Sequence, residues 1–499
     1  AVFPKKRSVL LLAAVVLLVC CCLFVPAAAA EGTGTQDDPI VVPEYGYAFS
    51  SGSITGINTT WLSTLPAGGE NVWLMLEIPN KINDQEVKSI KSSAFKASAG
   101  VYKIASVDMS KASSLLSIEN DAFRGNSQIT SLTLPDSLTK IGENAFRDCS
   151  GITGEITIPA GIKNLENNVF SGCSKLTGVY LPSQLTTIGE SVFAGCSGLK
   201  FIRVAGQDAP AGNFILPSGL TRMGSQAFMR CSGIVGEVTI PEGVTTLEKN
   251  VFKECSGLTG VYLPTGLEQI GTTSSGSVSG SVFYGCTGLQ FIRVTGQDAS
   301  VGNFTLPGTL TTIGGQSFRK CFADSVSTSV TIPESVDYIG SRAFYDSDAI
   351  TTIFIERELA GSWDNGYDNY NKDAFRASNY GPGKRLTIFP DSMYGWKDFP
   401  LTGDYGDSLT YPLTLEFSGA DEYNHLILYN QPIYYAYNKV TGEWEFNMEY
   451  ELPPVPNQGA TPRPGHTYGW ACGSGATAEL LHINWKYTGA ALVPSVTVE

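Results

Sequence analysis

The sequence predicts a repeat solenoid, in which one short strand, one turn and one buried aromatic are written about eleven times and stacked into parallel sheets. Three observations carry this. Phe recurs at 95, 123, 146, 170, 193, 228, 252, 283, 318, 344 and 375, and the shortest steps are 23 or 24 residues. An Ile, Leu or Met stands five residues before most of them: Ile90, Ile118, Ile141, Leu165, Ile188, Met223, Leu247, Ile313 and Ile339. In seven units a Cys follows three residues after the Phe, at Cys149, Cys173, Cys196, Cys231, Cys255, Cys286 and Cys321. A unit of this length cannot bury its own apolar face, so it stacks on copies of itself. With strands about 4.8 Å apart, eleven coils make a rod on the order of 50 Å long.

Composition agrees and narrows the function. The 499 residues carry 33 Lys plus Arg against 47 Asp plus Glu, a net charge of −14, which argues against nucleic acid as a partner. Charged residues are 16% of the chain, below the roughly 25% of an ordinary soluble domain, while 54 Gly and 26 Pro mark it as turn-rich. Eleven Cys are too few for a disulfide scaffold of this length. A division into about three compact domains, the prior from length alone, gives way to one long array.

Taken in order, the first element is an address. Lys5, Lys6 and Arg7 precede an apolar run from Val9 to Val25, followed by Pro26 and Ala27 to Ala30. These are the three parts of a secretory signal peptide over residues 1–30, with retention as an N-terminal membrane anchor as the alternative. Residues 31–86 are expected as a small β-rich N-terminal cap. The array occupies 87–380. Its coils end in GEITIP, GVYLP, KFIRV, GEVTIP, GVYLP, QFIRV and SVTIP, and Pro closes most of these strands because it has no N–H to give a ladder. A longer period overlies the short one. The Phe146, Phe170, Phe193 trio returns as Phe228, Phe252, Phe283, with an eight-residue Ser/Gly/Thr insertion near Thr272 to Ser279. The loop GQDAPAGNF at Gly206 is likewise copied as GQDASVGNF at Gly296, so Asp208 and Asp298 are no independent sign of a metal site.

The pattern LxxIGxxAFxxCxxLxxVxLP, as in Leu185 to Val204, resembles the BspA-type leucine-rich repeat of bacterial, archaeal and protozoan surface proteins. That resemblance covers about Val87 to Glu356. It implies a curved solenoid with short strands on the concave side, and an extracellular or cell-surface protein engaged in adhesion and protein binding.

The seven Cys occupy one position in successive coils, and small polar residues replace them toward the ends: Ser98, Asn126, Ser347 and Ser378. We expect buried free thiols bonded to the turn. Parallel Cβ vectors suit disulfides badly, and no CxxC pair exists for a metal. The outward-pointing strand position between the last two apolar residues reads Thr133, Thr157, Tyr180, Arg203, Thr239, Tyr262, Arg293, Thr331, Phe354, with Phe201 and Phe291 two residues before the Arg pair. Aromatics interleaved with Arg are enriched at binding hot spots, which makes Tyr180, Phe201, Arg203, Tyr262, Phe291 and Arg293 the candidate partner-binding residues. The plainer alternative is a set of ordinary solvent-facing strand residues carried along by duplication. Catalysis is not expected and no cofactor is implied. The only His are His425, His466 and His482, and Cys472 in WACGSG has too little chain after it for a papain-like His.

After Phe375 the repeat stops. Residues 381–410 read as linker or cap, 411–490 as a separate module and 491–499 as a tail. IYYAYNKVTGEWEF, with Thr441-Gly442 at its turn, predicts a β-hairpin. ATPRPGHTYGWACG and LLHINWKYT resemble the internalin-type B repeat, which implies a β-grasp-like module; a β-rich cap is the alternative. Two N-x-S/T sequons, at Asn58 and Asn303, permit glycosylation. The expected partner is an extracellular protein or glycan on a host, matrix or neighbouring cell. Membrane contact would come only through an uncleaved anchor. A structural envelope or biofilm component without a specific ligand is the alternative function.

Overall fold

The computed structural model describes residues 32–355, apart from 70, 98–100, 207–213, 275–276, 299–301, 324–326 and 348, and beyond 355 the backbone of seven strands. The expected signal peptide lies outside the described residues.

Each coil contributes to three parallel ladders. The first is a long sheet. Val72–Glu77, Tyr102–Asp108 and Ser131–Thr133 pair in parallel. Gly154–Thr157, Leu176–Leu181 and Phe201–Val204 do the same, and Gly236–Thr239, Leu258–Leu263 and Phe291–Val294 repeat that register. Thr328–Ile332 and Ile350–Ile355 follow. The copied GNF segments, read from sequence as loops, return a single residue to this sheet: Phe214 bridges Ile202 and Val238, and Phe304 bridges Ile292 and Val330. This extra rung accounts for the 35-residue steps from Phe193 to Phe228 and from Phe283 to Phe318. Beyond the repeat motif, Leu386–Pro390 and Leu413–Leu415 continue the parallel pairing. The sheet thus runs through the segment expected as a linker, because LTIFP keeps the alternation and terminal Pro of SVTIP.

The second ladder consists of two-residue strands. It runs from Ser53–Ile57 through Ser89–Ile90, Ser117–Ile118 and Lys140–Ile141, then through Asn164–Leu165, Thr187–Ile188 and Arg222–Met223. Thr246–Leu247, Gln269–Ile270, Thr312–Ile313 and Tyr338–Ile339 continue the pattern. These are the Ile, Leu and Met positions that precede the Phe. In the coil of Phe283 the role passes to Ile270, because the Ser/Gly/Thr insertion forms an antiparallel hairpin, Thr272–Ser274 against Ser277–Ser279, between the two.

The third ladder is in the turns. The amide of each Phe from 95 to 318 donates to the carbonyl of the residue before the next Phe, from Phe95 to Ala122 (2.8 Å) through Phe318 to Ala343 (2.8 Å). To make this turn, the residue two before the Phe takes φ between 54° and 63° in every coil from Ser93 to Arg342. From Phe123 onward the residue two after the Phe is also left-handed: Gly125, Gly172, Gly195 and Gly285, but Asp148, Arg230, Glu254, Lys320 and Asp346 in the other coils. Side chains in that region cost roughly 1–2 kcal/mol each, so three converging ladders hold the backbone where local preference does not.

The core follows from this geometry. Ten Phe rings, from Phe95 to Phe344, stack face to face at 5.1–6.0 Å with interplanar angles of 4–19°. All are fully buried except Phe344, at 6%. At the N-terminal end Tyr47 meets Phe95 edge-on at 6.4 Å, and its hydroxyl donates to the Glu77 carbonyl at 2.9 Å. Tyr47–Ser50 pairs antiparallel to Ser53–Ile57 and so ends the parallel growth of the short ladder. Ile40–Val41 covers the edge of Val72–Glu77. The cap is therefore an extension of the array's own ladders.

In the C-terminal third, Tyr435–Asn438 pairs antiparallel with Glu443–Phe446, the hairpin predicted around Thr441-Gly442. Thr467–Ser474, Thr477–Asn484 and Ser495–Val498 form an antiparallel sheet. Among the described residues no helix is long and apolar enough to cross a membrane.

Candidate functional site

The candidate partner-binding residues form two copies of one cluster on the outer side of the long sheet. Strand register sets Tyr180 beside Arg203 and Gly178 beside Phe201. A methyl group on Gly178 would overlap the Phe201 ring, so this glycine is the floor on which the ring lies flat. Tyr180 meets that ring at 5.3 Å and 61°, and the Arg203 guanidinium covers it at 4.4 Å. In the second copy Gly260 lies under Phe291, Tyr262 is 5.1 Å from the ring and Arg293 is 4.3 Å above it. Phe201 stays half-buried while Phe291 is buried, at 8% exposure. Arg293 is also tied to its own loop: Nε donates to the Gly302 carbonyl and Nη2 to Asn303 Oδ1, both at 3.0 Å.

The outward column is thus two discrete patches and not a continuous stripe. Thr133, Thr157 and Thr239 are exposed and Thr331 is half-buried; Thr157 and Thr239 are the register neighbours that precede Tyr180 and Tyr262 and so bound each patch on one side, while the Phe354 side chain lies outside the described residues. Between Tyr180 and Tyr262 stand the rungs of Arg203, Phe214 and Thr239, so matched residues are four rungs, about 19 Å, apart. The glycine beneath each Phe was absent from the sequence reading. Its signal was present: both GVYLP strands carry Gly opposite the Phe of FIRV.

The seven thiols are buried and free. Each Sγ donates to the carbonyl of the Phe one coil back: Cys149 to Phe123 (3.2 Å), Cys173 to Phe146 (3.3 Å), Cys196 to Phe170 (3.2 Å), Cys231 to Phe193 (3.1 Å), Cys255 to Phe228 (3.0 Å), Cys286 to Phe252 (3.0 Å) and Cys321 to Phe283 (2.9 Å). Asn126 makes the same bond to Phe95 at 2.7 Å, and Ser347 makes it to Phe318. One donor per coil is therefore needed to satisfy one buried carbonyl, and Asn, Cys and Ser all supply it. Burial pushes the thiols of Cys149, Cys196 and Cys255 up to about 12, and those of Cys173, Cys231, Cys286 and Cys321 well above the ordinary range. Among the described residues no group of His, Cys, Asp and Glu is placed to hold a metal ion.

Of the sequons, Asn58 caps the short helix Thr59–Leu62, accepting from Thr60 and Trp61 and donating to the Tyr45 carbonyl.

Parallel ladders of short strands, a buried aromatic per coil and a donor that caps each turn define a leucine-rich-repeat solenoid. The family model for the BspA type leucine rich repeat region matches in six copies over residues 88–210, 207–299 and 294–376, and the chain belongs to that family. No curated protein matches it. Among solved structures, a leucine-rich repeat protein from Bacteroides ovatus is 21% identical, with 75% of this chain and 98% of that one covered and a TM-score of 0.39. The pneumococcal vaccine antigen PcpA is 17% identical over 74% and 95%, with a TM-score of 0.41. A leucine rich cell surface protein from Faecalibacterium prausnitzii is 20% identical over 62% and 93%, with a TM-score of 0.32.

Proposed function

We propose that the chain is a non-enzymatic, secreted or surface-held adhesion protein that binds an extracellular protein or glycan through its two Tyr–Phe–Arg clusters. The observation that carries this reading is the packing within each cluster: Tyr180 and Arg203 lie against the Phe201 ring over Gly178, as Tyr262 and Arg293 lie against Phe291 over Gly260. Rigid aromatic surface beside a guanidinium is the side-chain chemistry that dominates binding energy at interfaces. Pull-down of extracellular matrix proteins and host-cell glycans with residues 31–499 tests it. Tyr180→Ala with Arg203→Ala should weaken capture by about tenfold or more while leaving thermal unfolding unchanged, and unaltered capture would remove this face from the site. A structural envelope component is the second reading. It is favoured by Arg293, whose donors already serve Gly302 and Asn303 within its own chain.

A further inference from the structure

The turn side of the array carries a charge pattern distinct from the rest of the chain. In the six-residue segments from three before to two after each Phe, the coils of Phe228 to Phe344 hold Arg230, Lys249, Lys253, Arg319, Lys320 and Arg342 against only Glu254 and Asp346, a net +4. The same segments from Phe95 to Phe193 hold three cations against four carboxylates, a net −1. A concentrated positive strip on a chain of net charge −14 is a local feature that the bulk composition hides.

The strip is ordered by the ladder beneath it. Lys253 Nζ lies 4.9 Å from the Tyr284 ring, and the Arg319 guanidinium lies 5.3 Å from Tyr284 and 4.7 Å from Tyr345. Arg342 covers Tyr345 at 5.5 Å. Cation and tyrosine thus alternate along a column whose rungs follow the ring stack, 5.3–5.8 Å apart. Of the two carboxylates in these segments, Glu254 accepts closely from Arg230 Nε at 2.8 Å and lies 3.9 Å from Lys253, while Asp346 is 3.7 Å from Arg319. Arg319 Nε and Asp346 Oδ1 are shielded from water and make no hydrogen bond. Lys249, Lys320 and Arg342 are exposed.

We propose that this strip binds a linear glycan bearing repeated sulfate or carboxylate groups, on a surface separate from the Tyr–Phe–Arg clusters. A row of fixed cations at regular spacing favours a ligand whose charge also repeats along a chain. The tyrosine faces are occupied by Lys253, Arg319 and Arg342, so they offer no open platform on which nucleic-acid bases would stack. The site recognises backbone charge alone.

The test measures binding of the purified chain to heparin, to polygalacturonate and to a single-stranded oligothymidylate at 50 and 200 mM salt. Heparin or polygalacturonate should bind, and which of them binds tighter assigns sulfate or carboxylate. With about four cations engaged, binding should weaken by about 50-fold between the two salt concentrations. The triple substitution Lys253→Gln, Lys320→Gln, Arg342→Gln should lower affinity at least about tenfold, whereas Lys253→Arg with Lys320→Arg should keep it. Tyr180→Ala with Arg203→Ala should leave it unchanged, which separates this site from the clusters on the long sheet. If the triple variant does not fold, Lys320→Gln and Arg342→Gln singly, at exposed positions, give the same reading. No binding of either glycan at 50 mM salt, undiminished binding by the folded glutamine variants, or tighter binding of the oligothymidylate would overturn the proposal.

Discussion

Replacing Phe228 by alanine takes one ring from the middle of the aromatic stack. Phe228 is fully buried, lies face to face with Phe193 at 5.8 Å and Phe252 at 5.7 Å, and receives Phe214 edge-on at 5.0 Å. Truncating a buried Phe to Ala costs about 3–5 kcal/mol, and an aromatic pair contributes about 0.5–1.5 kcal/mol beyond its burial. Three ring partners place this substitution near the top of the range, about 5 kcal/mol. Phe170, with Phe146 and Phe193 as its two ring partners, should cost about 1 kcal/mol less. Since stability in a solenoid is close to a sum of neighbour terms, the damage should stay local and divide the array. Urea-dependent amide exchange reads both sides at once. The Phe252 and Phe283 turn amides should lose protection at lower urea than those of Phe123 and Phe146, whereas in the unaltered chain they open together. A single coincident transition with a loss below about 2 kcal/mol would refute the view that the stack couples the coils.

Three smaller expectations follow from the turns. In the folded chain the seven thiols should resist maleimide over hours and react at once in denaturant; rapid native labelling of most of them would contradict the buried ladder. Their raised values also fix a pH dependence. The folded chain keeps protons that the unfolded chain releases above about 9, so stability is fully present below pH 9 and falls as pH rises toward about 12, by up to about 1.4 kcal/mol per pH unit per thiol. Alkaline denaturation that is unaffected by Cys196→Ser would count against that account. Lys320→Gly, at φ 53° in a position where four other coils have Gly, should raise stability by about 0.5–1 kcal/mol in thermal unfolding, and a loss would show that the left-handed turn is unstrained.

The Phe stack and the thiol ladder were legible because each repeats one residue type at one spacing, and stacking translates that spacing directly into contact. Phe214 and Phe304 were not, since a rung of a single residue leaves no alternating pattern for a strand to be read from. Ile270 escaped for another reason: the hairpin between it and Phe283 breaks the interval of five on which its neighbours were found. The column of Lys253, Tyr284, Arg319 and Tyr345 occupies one position in four successive coils, but with three residue types it forms no motif. Its order lies in the alternation between neighbours, and only the stacked coils place those neighbours side by side. The two Tyr–Phe–Arg clusters were half visible, as residues but not as rings laid over glycine.

All three ladders run their hydrogen bonds along the axis of the stack, and this sets how the molecule would respond to tension on a surface. A pull along that axis loads the bonds one coil at a time, in the manner of a zipper and not of a sheared sheet. Each released coil of 23 residues, which had occupied one rung, would extend to roughly 75–80 Å. A tethered copy would then lengthen in small, repeated steps under modest load, yielding at its terminal coils while the coils behind them, still stacked, kept hold of whatever they had bound.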